Sequence, residues 1–223
     1  MANLYVVATP IGNLGDITFR AIETLKSVDL ILCEDTRITQ KLLSHYGIKT
    51  PTLSYHQHSK LNKVEFILDI LRRGKDLALV SDAGTPGVSD PGNKLVEKVV
   101  ELLGNSVNIE PIPGPSAVTA SASISGFPVD RFLFLGFPPI KNKRKKFFEE
   151  VAASKYSVIF YESPYRILKT LKELISLIKG RDIVVCRELT KKFETIYRGN
   201  IEEVAKKIET GKIKGEFAVI VEK

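Results

Sequence analysis

The densest group of chemically useful residues is Ser81-Asp82-Ala83-Gly84-Thr85-Pro86-Gly87-Val88-Ser89-Asp90-Pro91-Gly92, directly after the apolar run Leu77–Val80. Its glycines and prolines fix an unusual backbone path, and two aspartates and several hydroxyls are set along it. A purely structural turn needs no run of this length. Beyond the carboxyl end of a strand in an open α/β sheet, such a loop stands where these sheets hold polar ligands. Glu34-Asp35-Thr36-Arg37 ends another apolar run. Its acids can accept a proton and its arginine can hold a phosphate by paired hydrogen bonds. The competing reading is a helix cap with a local ion pair.

Three further segments carry weaker signals. Ala8–Thr18 leaves one apolar run and enters a helical stretch, with Gly12 and Gly15 permitting close approach of a ligand and Thr18 placed as an N-cap. It lacks the G-x-G-x-x-G spacing of dinucleotide sites and the Gly-Lys-Ser/Thr of phosphate loops, which excludes both. His56 and His58 face the same side if the chain is extended there, but no third ligand lies near, so no metal site is expected. Lys141-Asn142-Lys143-Arg144-Lys145-Lys146 places five cations at the start of a helix, the end that disfavours them. Phosphate contact would explain that cost; a solvated face is the alternative.

These segments need a scaffold, and hydrophobic periodicity supplies one. Strands are predicted at Leu4–Ala8, Leu30–Cys33, Leu53–Tyr55, Leu77–Val80 and Val107–Ile112. Helices are predicted between them at Phe19–Val28, Thr36–Tyr46, around Val64, Ile67, Leu68 and Leu71, and at Leu95–Leu103. Strands alternating with helices imply a parallel sheet covered on both faces. The turn Pro113-Gly114-Pro115 interrupts the pattern, which sets a domain boundary at residue 112/113. Beyond it come a helix of small residues, Ser116–Ser125, and strands at Phe132–Leu135, Val158–Tyr161, Ile183–Cys186, Thr195–Tyr197 and Phe217–Val221. Helices lie around Phe147–Ala153, Tyr165–Ile178 and Ile201–Ile208, with turns at Gly199–Asn200 and Gly211–Gly215. The closer spacing predicts a mixed sheet. The expected class is therefore α/β with two domains, 1–112 and 113–223.

Charge separates the halves. Residues 1–112 hold 12 Lys+Arg against 13 Asp+Glu, a net −1, and residues 113–223 hold 21 against 13, a net +8. The positive excess raises the expectation of a polyanionic partner for the second half. Cys33 and Cys186 lie in apolar runs without metal-ligand or disulfide spacing, as buried free thiols do in a reducing compartment. Met1–Val7 reads as a first strand rather than a leader, and no run reaches the ~18 apolar residues of a membrane span. A cytoplasmic, non-membrane protein is expected.

Taken in order, Ala8–Thr18, Glu34–Arg37, Ser54–His58, Ser81–Gly92, Pro113–Ala117, Leu135–Pro139, Tyr161–Arg166 and Cys186–Thr190 resemble the ribosomal RNA small subunit methyltransferase I family. These are 16S rRNA cytidine 2′-O-ribose methyltransferases of the tetrapyrrole-methylase superfamily. The resemblance covers nearly the whole chain. It implies the two-domain class III methyltransferase fold, S-adenosyl-L-methionine as cofactor in a cleft between the domains, a homodimer, and small-subunit rRNA or the ribosomal subunit as partner. Carried over by position, the cofactor site comprises Pro10, Asp82, Gly84, Thr85, Ser116, Ala117, Tyr161 and Glu162, with Leu189 and Gly215 as weaker members. Members commonly continue past the final strand with a small helical segment, whereas here Lys223 follows directly. RNA contact is then expected from Lys141–Lys146 and the rest of the basic half.

Methyl transfer to a ribose hydroxyl is an in-line displacement in which the protein mainly aligns the reactants and removes a proton. Asp16, Glu34, Asp35, Glu162 and Glu188 are candidates for the proton acceptor; Glu34, Asp35, Arg37 and Glu162 are taken as the catalytic set. Arg37, Arg166 and Arg187 are candidate phosphate ligands. Two other functions fit the same fold: a porphyrin-type C-methyltransferase and a non-catalytic RNA-binding or assembly factor. The positive charge and the Glu34–Arg37 and Ser54–His58 segments favour RNA.

Overall fold

The computed structural model describes residues 1–56, 61–90, 92–178 and 180–223. The chain divides into two compact units, Met1–Ser116 and Ala117–Lys223.

The first unit runs β1 (Ala2–Val7), α1 (Phe19–Ser27), β2 (Leu30–Cys33), α2 (Thr36–His45), β3 (Thr52–Ser54), α3 (Leu61–Arg72), β4 (Leu77–Leu79), α4 (Gly92–Leu103) and β5 (Val107–Ile112). Its strands form one sheet in the order β3-β2-β4-β1-β5, and every pairing is parallel. Strand side chains alternate between faces, and here both faces are buried. Leu4, Leu32, Leu77 and Leu79 pack with Ile67, Leu68 and Leu71 of α3 and with Leu95 and Val99 of α4. Val7, Ile31, Cys33, Ala78 and Val80 pack on the other side with Ala21 and Leu25 of α1 and Leu43 of α2. That double burial explains why the strands read as continuous apolar runs. Thr18 caps α1, its hydroxyl accepting from Ala21 N at 3.1 Å.

The second unit runs α5 (Ala117–Ser125), β6 (Phe132–Phe134), α6 (Arg144–Ala153), β7 (Ser157–Glu162), α7 (Ile167–Ile178), β8 (Asp182–Arg187), β9 (Thr195–Asn200), α8 (Ile201–Glu209) and β10 (Phe217–Val221). The sheet order is β6-β7-β10-β8-β9; β6 pairs parallel with β7 and all other neighbours are antiparallel. Val158, Phe160, Ile183, Val185, Val219 and Val221 form the core with Leu171 and Leu174 of α7 and Val204 and Ile208 of α8. Helix α5 packs on β10 and β7.

Two local expectations change. Gly199–Asn200 is not a turn: Gly199 continues β9 opposite Ile183, with φ +123°, and Asn200 caps α8 by accepting from Glu202 N at 3.0 Å. The ladder with β8 supplies backbone partners that sequence alone does not reveal. Helix α6 also starts earlier than the apolar spacing indicates, at Arg144 instead of Phe147, because Arg144 is itself a buried residue. No helix among the described residues is long and apolar enough to cross a membrane.

Candidate active site

In the first unit three loops at the carboxyl ends of β1, β2 and β4 are bound to one another. Thr9 and Gly84 exchange backbone hydrogen bonds, Thr9 N to Gly84 O at 2.9 Å and Gly84 N to Thr9 O at 3.0 Å. The Thr9 hydroxyl donates to Ser81 O at 3.2 Å, and the Thr85 hydroxyl donates to Pro115 O at 3.2 Å. Asp35 N donates to the Asp82 carboxylate at 3.0 Å, which joins the second loop to the third. The third loop is held by Asp90, whose Oδ1 accepts from Gly87 N at 2.8 Å and Gly92 N at 2.7 Å. Sequence reasoning assigned no role to Asp90 or Thr9. The aspartate two residues before a glycine in Asp90-Pro91-Gly92 is the Asx-type signal that could have found the first. Pro10 follows Thr9 and is half-buried, whereas Asp16 closes an exposed 3-10 turn, away from these bonds.

Gly84 is buried with φ +82°, and a Cβ there would meet Ile11 Cγ2 at 3.3 Å and Pro115 O at 3.6 Å. The backbone bridge to Thr9 therefore demands glycine before any ligand does. Gly84→Ala is expected to cost about 1–2 kcal/mol through the left-handed backbone alone. Urea denaturation checks this, and an unchanged midpoint contradicts it.

The two acids beside this junction have opposite electrostatics. Glu34 is half-buried; burial, with Asp82 and then Asp90 adding like charge, raises its carboxyl to about 7. Asp35 faces Arg37: Arg37 Nη2 lies 2.6 Å from Asp35 Oδ2, and Arg37 N also donates to Asp35 Oδ1 at 2.9 Å. The Arg37 bonds hold the Asp35 carboxyl down to about 2. Asp35 is thus the N-cap of α2, the structural alternative for this segment, and too weak a base for proton removal at neutral pH. The Arg37 side chain is 86% exposed. His56 is exposed; His58 falls outside the described residues. Among the described residues no group of His, Cys, Asp and Glu is arranged to hold a metal ion.

In the second unit Tyr161, the last residue but one of β7, has its ring against Phe134 at 5.0 Å and Phe137 at 5.5 Å. Burial pushes its phenol up to about 12, partly offset by a hydrogen bond from the Val118 backbone. Its neighbour Glu162 is 1% exposed. Its carboxylate accepts from Ser163 N at 2.7 Å and the Thr170 hydroxyl at 2.6 Å, and it pairs with Arg166 Nε at 2.8 Å and Arg144 Nη1 at 3.9 Å. Two hydrogen bonds and two arginines engage both its oxygens, which suits a buried structural ion pair.

The second unit's arginines that were expected to meet phosphate are spent internally. Arg144 is buried and also donates to Glu173 Oε2 at 2.8 Å, Pro139 O at 3.1 Å and Thr170 Oγ1 at 2.7 Å. It is removed from the basic run as a contact, and Lys141, Lys143, Lys145 and Lys146 remain exposed. Arg166 donates to Pro138 O at 2.9 Å, and the buried Arg187 donates to Lys214 O at 2.7 Å and Phe193 O at 3.2 Å. The turn after β8 is strained: Glu188 and Thr190 have φ +53° and +63° on either side of the buried Leu189. Glu188 Oε1 accepts from Lys191 Nζ at 2.9 Å and Glu216 N at 3.0 Å. Burial raises the Glu188 carboxyl, but these donors outweigh it and leave it lowered. Gly215, at φ +94°, packs so closely on the Glu188 side chain that a Cβ would overlap it. Ser116 and Ala117 are half-buried and span the end of the first unit and the start of α5.

The model of the family described as Tetrapyrrole (Corrin/Porphyrin) Methylases matches residues 3–205. A protein of Halalkalibacterium halodurans named ribosomal RNA small subunit methyltransferase I is 46% identical over 220 residues, covering 98% of this chain and 75% of its own length. A Thermotoga maritima protein of the same name is 42% identical over 221 residues, covering 99% and 98%. Among solved structures, the cobalamin biosynthetic enzyme cobalt precorrin-4 methyltransferase matches with a TM-score of 0.71 at 20% identity, over 99% of this chain and 94% of that one. That likeness concerns the fold, with its parallel first sheet and mixed second sheet. The matched segments take in the loops that converge at Gly84, and the chain belongs to the tetrapyrrole methylase family and, within it, to the ribosomal RNA small subunit methyltransferase I branch.

Proposed function

We propose that the chain transfers a methyl group from S-adenosyl-L-methionine to the ribose 2′-hydroxyl of a cytidine in 16S rRNA of the small ribosomal subunit. Two relatives at 42% and 46% identity carry a name that specifies small-subunit rRNA. The observation that carries the mechanism is the half-buried Glu34, with its carboxyl near neutrality, beside the loop that follows β4.

The residues present fit the cofactor. In the first unit Gly84 and Thr85 present a closely folded backbone and Asp82 adds a carboxylate suited to a cationic ligand; Tyr161 of the second unit joins the proposed set by its place in the family's motif. Pro10, Ser116, Ala117, Leu189 and Gly215 complete the proposed set. When bound, the cofactor supplies a methyl group activated by a sulfonium, with a neutral thioether as leaving group. The chain's part is to orient the ribose hydroxyl, and Glu34 takes its proton as the new O–C bond forms. Arg37, exposed though paired with Asp35 through Nε and Nη2, offers its remaining donors to the adjoining phosphate. The protein works as a cytoplasmic homodimer in this proposal.

The test is incubation with cofactor labelled in its methyl group and either small ribosomal subunits or a porphyrin precursor. The expected product is labelled rRNA yielding an alkali-resistant dinucleotide, since 2′-O-methylation removes the hydroxyl that base hydrolysis needs. Label in the porphyrin alone would replace this reading, and absence of cofactor binding by calorimetry would leave an RNA-binding factor.

A further inference from the structure

The loop between β6 and α6 exposes apolar side chains next to cations. Phe137 is 51% exposed, Ile140 73%, and Tyr165, in the turn before α7, 96%. Residues 131–148 contain no acid, and Lys141, Lys143 and Lys146 follow Ile140 closely on the exposed surface. Large apolar groups in water are individually ordinary. Here their backbone is fixed from beneath. Arg166 donates to Pro138 O at 2.9 Å and Arg144 to Pro139 O at 3.1 Å, and both arginines are held by the buried Glu162. Tyr165 adjoins Arg166 in sequence, and the Arg166–Pro138 bond brings its turn to the same loop.

We infer that Phe137 and Tyr165 form a stacking platform for unpaired nucleobases of the RNA strand that carries the target ribose, with the lysines of residues 141–146 on its phosphates. Sequence-tolerant recognition of single-stranded RNA combines aromatic faces with a cationic groove in this way. Charge decides the occupant: a second copy of this chain would set one cation-rich loop against another, whereas RNA complements it. The inference rests on the RNA reading above and adds the surface that reading lacks.

The chain contains no tryptophan, so Phe137→Trp and Tyr165→Trp each install a single reporter. Titration with a single-stranded oligoribonucleotide from small-subunit rRNA is expected to quench both saturably, with binding retained. Phe137→Ala and Tyr165→Ala are expected to weaken RNA binding about 10-fold each, Tyr165→Ala with unchanged cofactor affinity and melting temperature. Phe137 touches Tyr161, so the nearly fully exposed Tyr165 provides the variant free of folding effects. Wild-type binding with no quenching in either reporter and no loss in either alanine variant overturns the platform alone. Wild type that neither binds nor methylates RNA overturns the RNA reading and the platform with it. Alanine variants that turn a dimer into a monomer in sedimentation, with RNA affinity intact, assign the patch to a second copy instead.

Discussion

Glu34→Gln is expected to lower the single-turnover methyl-transfer rate by about 10²-fold or more, the usual scale for removing a positioned general base, with cofactor affinity nearly intact. The amide keeps the shape and hydrogen-bonding length of the side chain and removes only its ability to take a proton. Proton acceptance needs the ionised form, and burial with Asp82 and Asp90 nearby holds that carboxyl at about 7. The wild-type rate should therefore fall about tenfold per pH unit below 7 and level off above it, and the amide variant should lose this dependence. Stability runs the other way. Glu34 binds its proton more tightly when folded, so its contribution to stability declines as pH rises from the ordinary value of 4.5 through about 7. Above pH 7 Glu34→Gln should melt higher than wild type, and the two should converge at low pH. A merely structural Glu34 would give lower stability and unchanged turnover per folded molecule. Asp35→Asn separates the neighbours: the amide keeps the N-cap acceptor and loses only the exposed ion pair with Arg37, so stability should change little, with turnover retained.

The difference between those two acids marks the limit of what the sequence conveys. Period and composition locate the strands because both faces of β4 and β2 are buried, which leaves runs such as Leu77–Val80 without polar interruption. The same reading places Ser81–Gly92 and Glu34–Arg37 at strand ends, and the parallel order β3-β2-β4-β1-β5 brings them to one sheet edge. Which carboxylate is poised and which is spent depends on three-dimensional neighbours. Asp35 meets Arg37 two residues on, a contact legible as a cap signal. Glu34 owes its environment to Asp82 and Asp90, which are close only after folding. Arg144 is the sharper case. In the sequence it is one cation among five, and nothing in Lys141–Lys146 distinguishes it. Its burial follows from Thr170 and Glu173, both on the next helix, α7, whose side chains give it partners. Gly199–Asn200 misleads in a similar way, because turn composition was outweighed by ladder bonds to β8.

Glu162→Ala is expected to destabilise the protein by about 3–5 kcal/mol, the cost of stripping one partner from a buried ion pair. Its carboxylate neutralises Arg166 at 2.8 Å and balances the buried Arg144 at 3.9 Å, and it also satisfies Thr170 and Ser163 N. Removing it leaves Arg144 with Glu173 as its nearest counter-charge, and leaves a hydroxyl and a backbone N–H without their acceptor. The loss should propagate to the loop above, since the Arg144 and Arg166 bonds to Pro139 O and Pro138 O are oriented through the same carboxylate. Arg144→Ala should destabilise by a similar amount, and the double variant by clearly less than the sum, because both deletions break one network in which Thr170 accepts from Arg144 and donates to Glu162. This is also why neutralising Lys143, Arg144 and Lys145 together would test folding in place of RNA contact. Lys141, Lys143 and Lys146 are the residues to neutralise when the salt dependence of RNA binding is measured. Urea denaturation of the two single variants and the double variant, with single-turnover rates on the folded fraction, decides Glu162's role. Wild-type stability in Glu162→Ala with turnover abolished would return Glu162 to the chemistry as a proton acceptor, against the structural role that its buried partners give it.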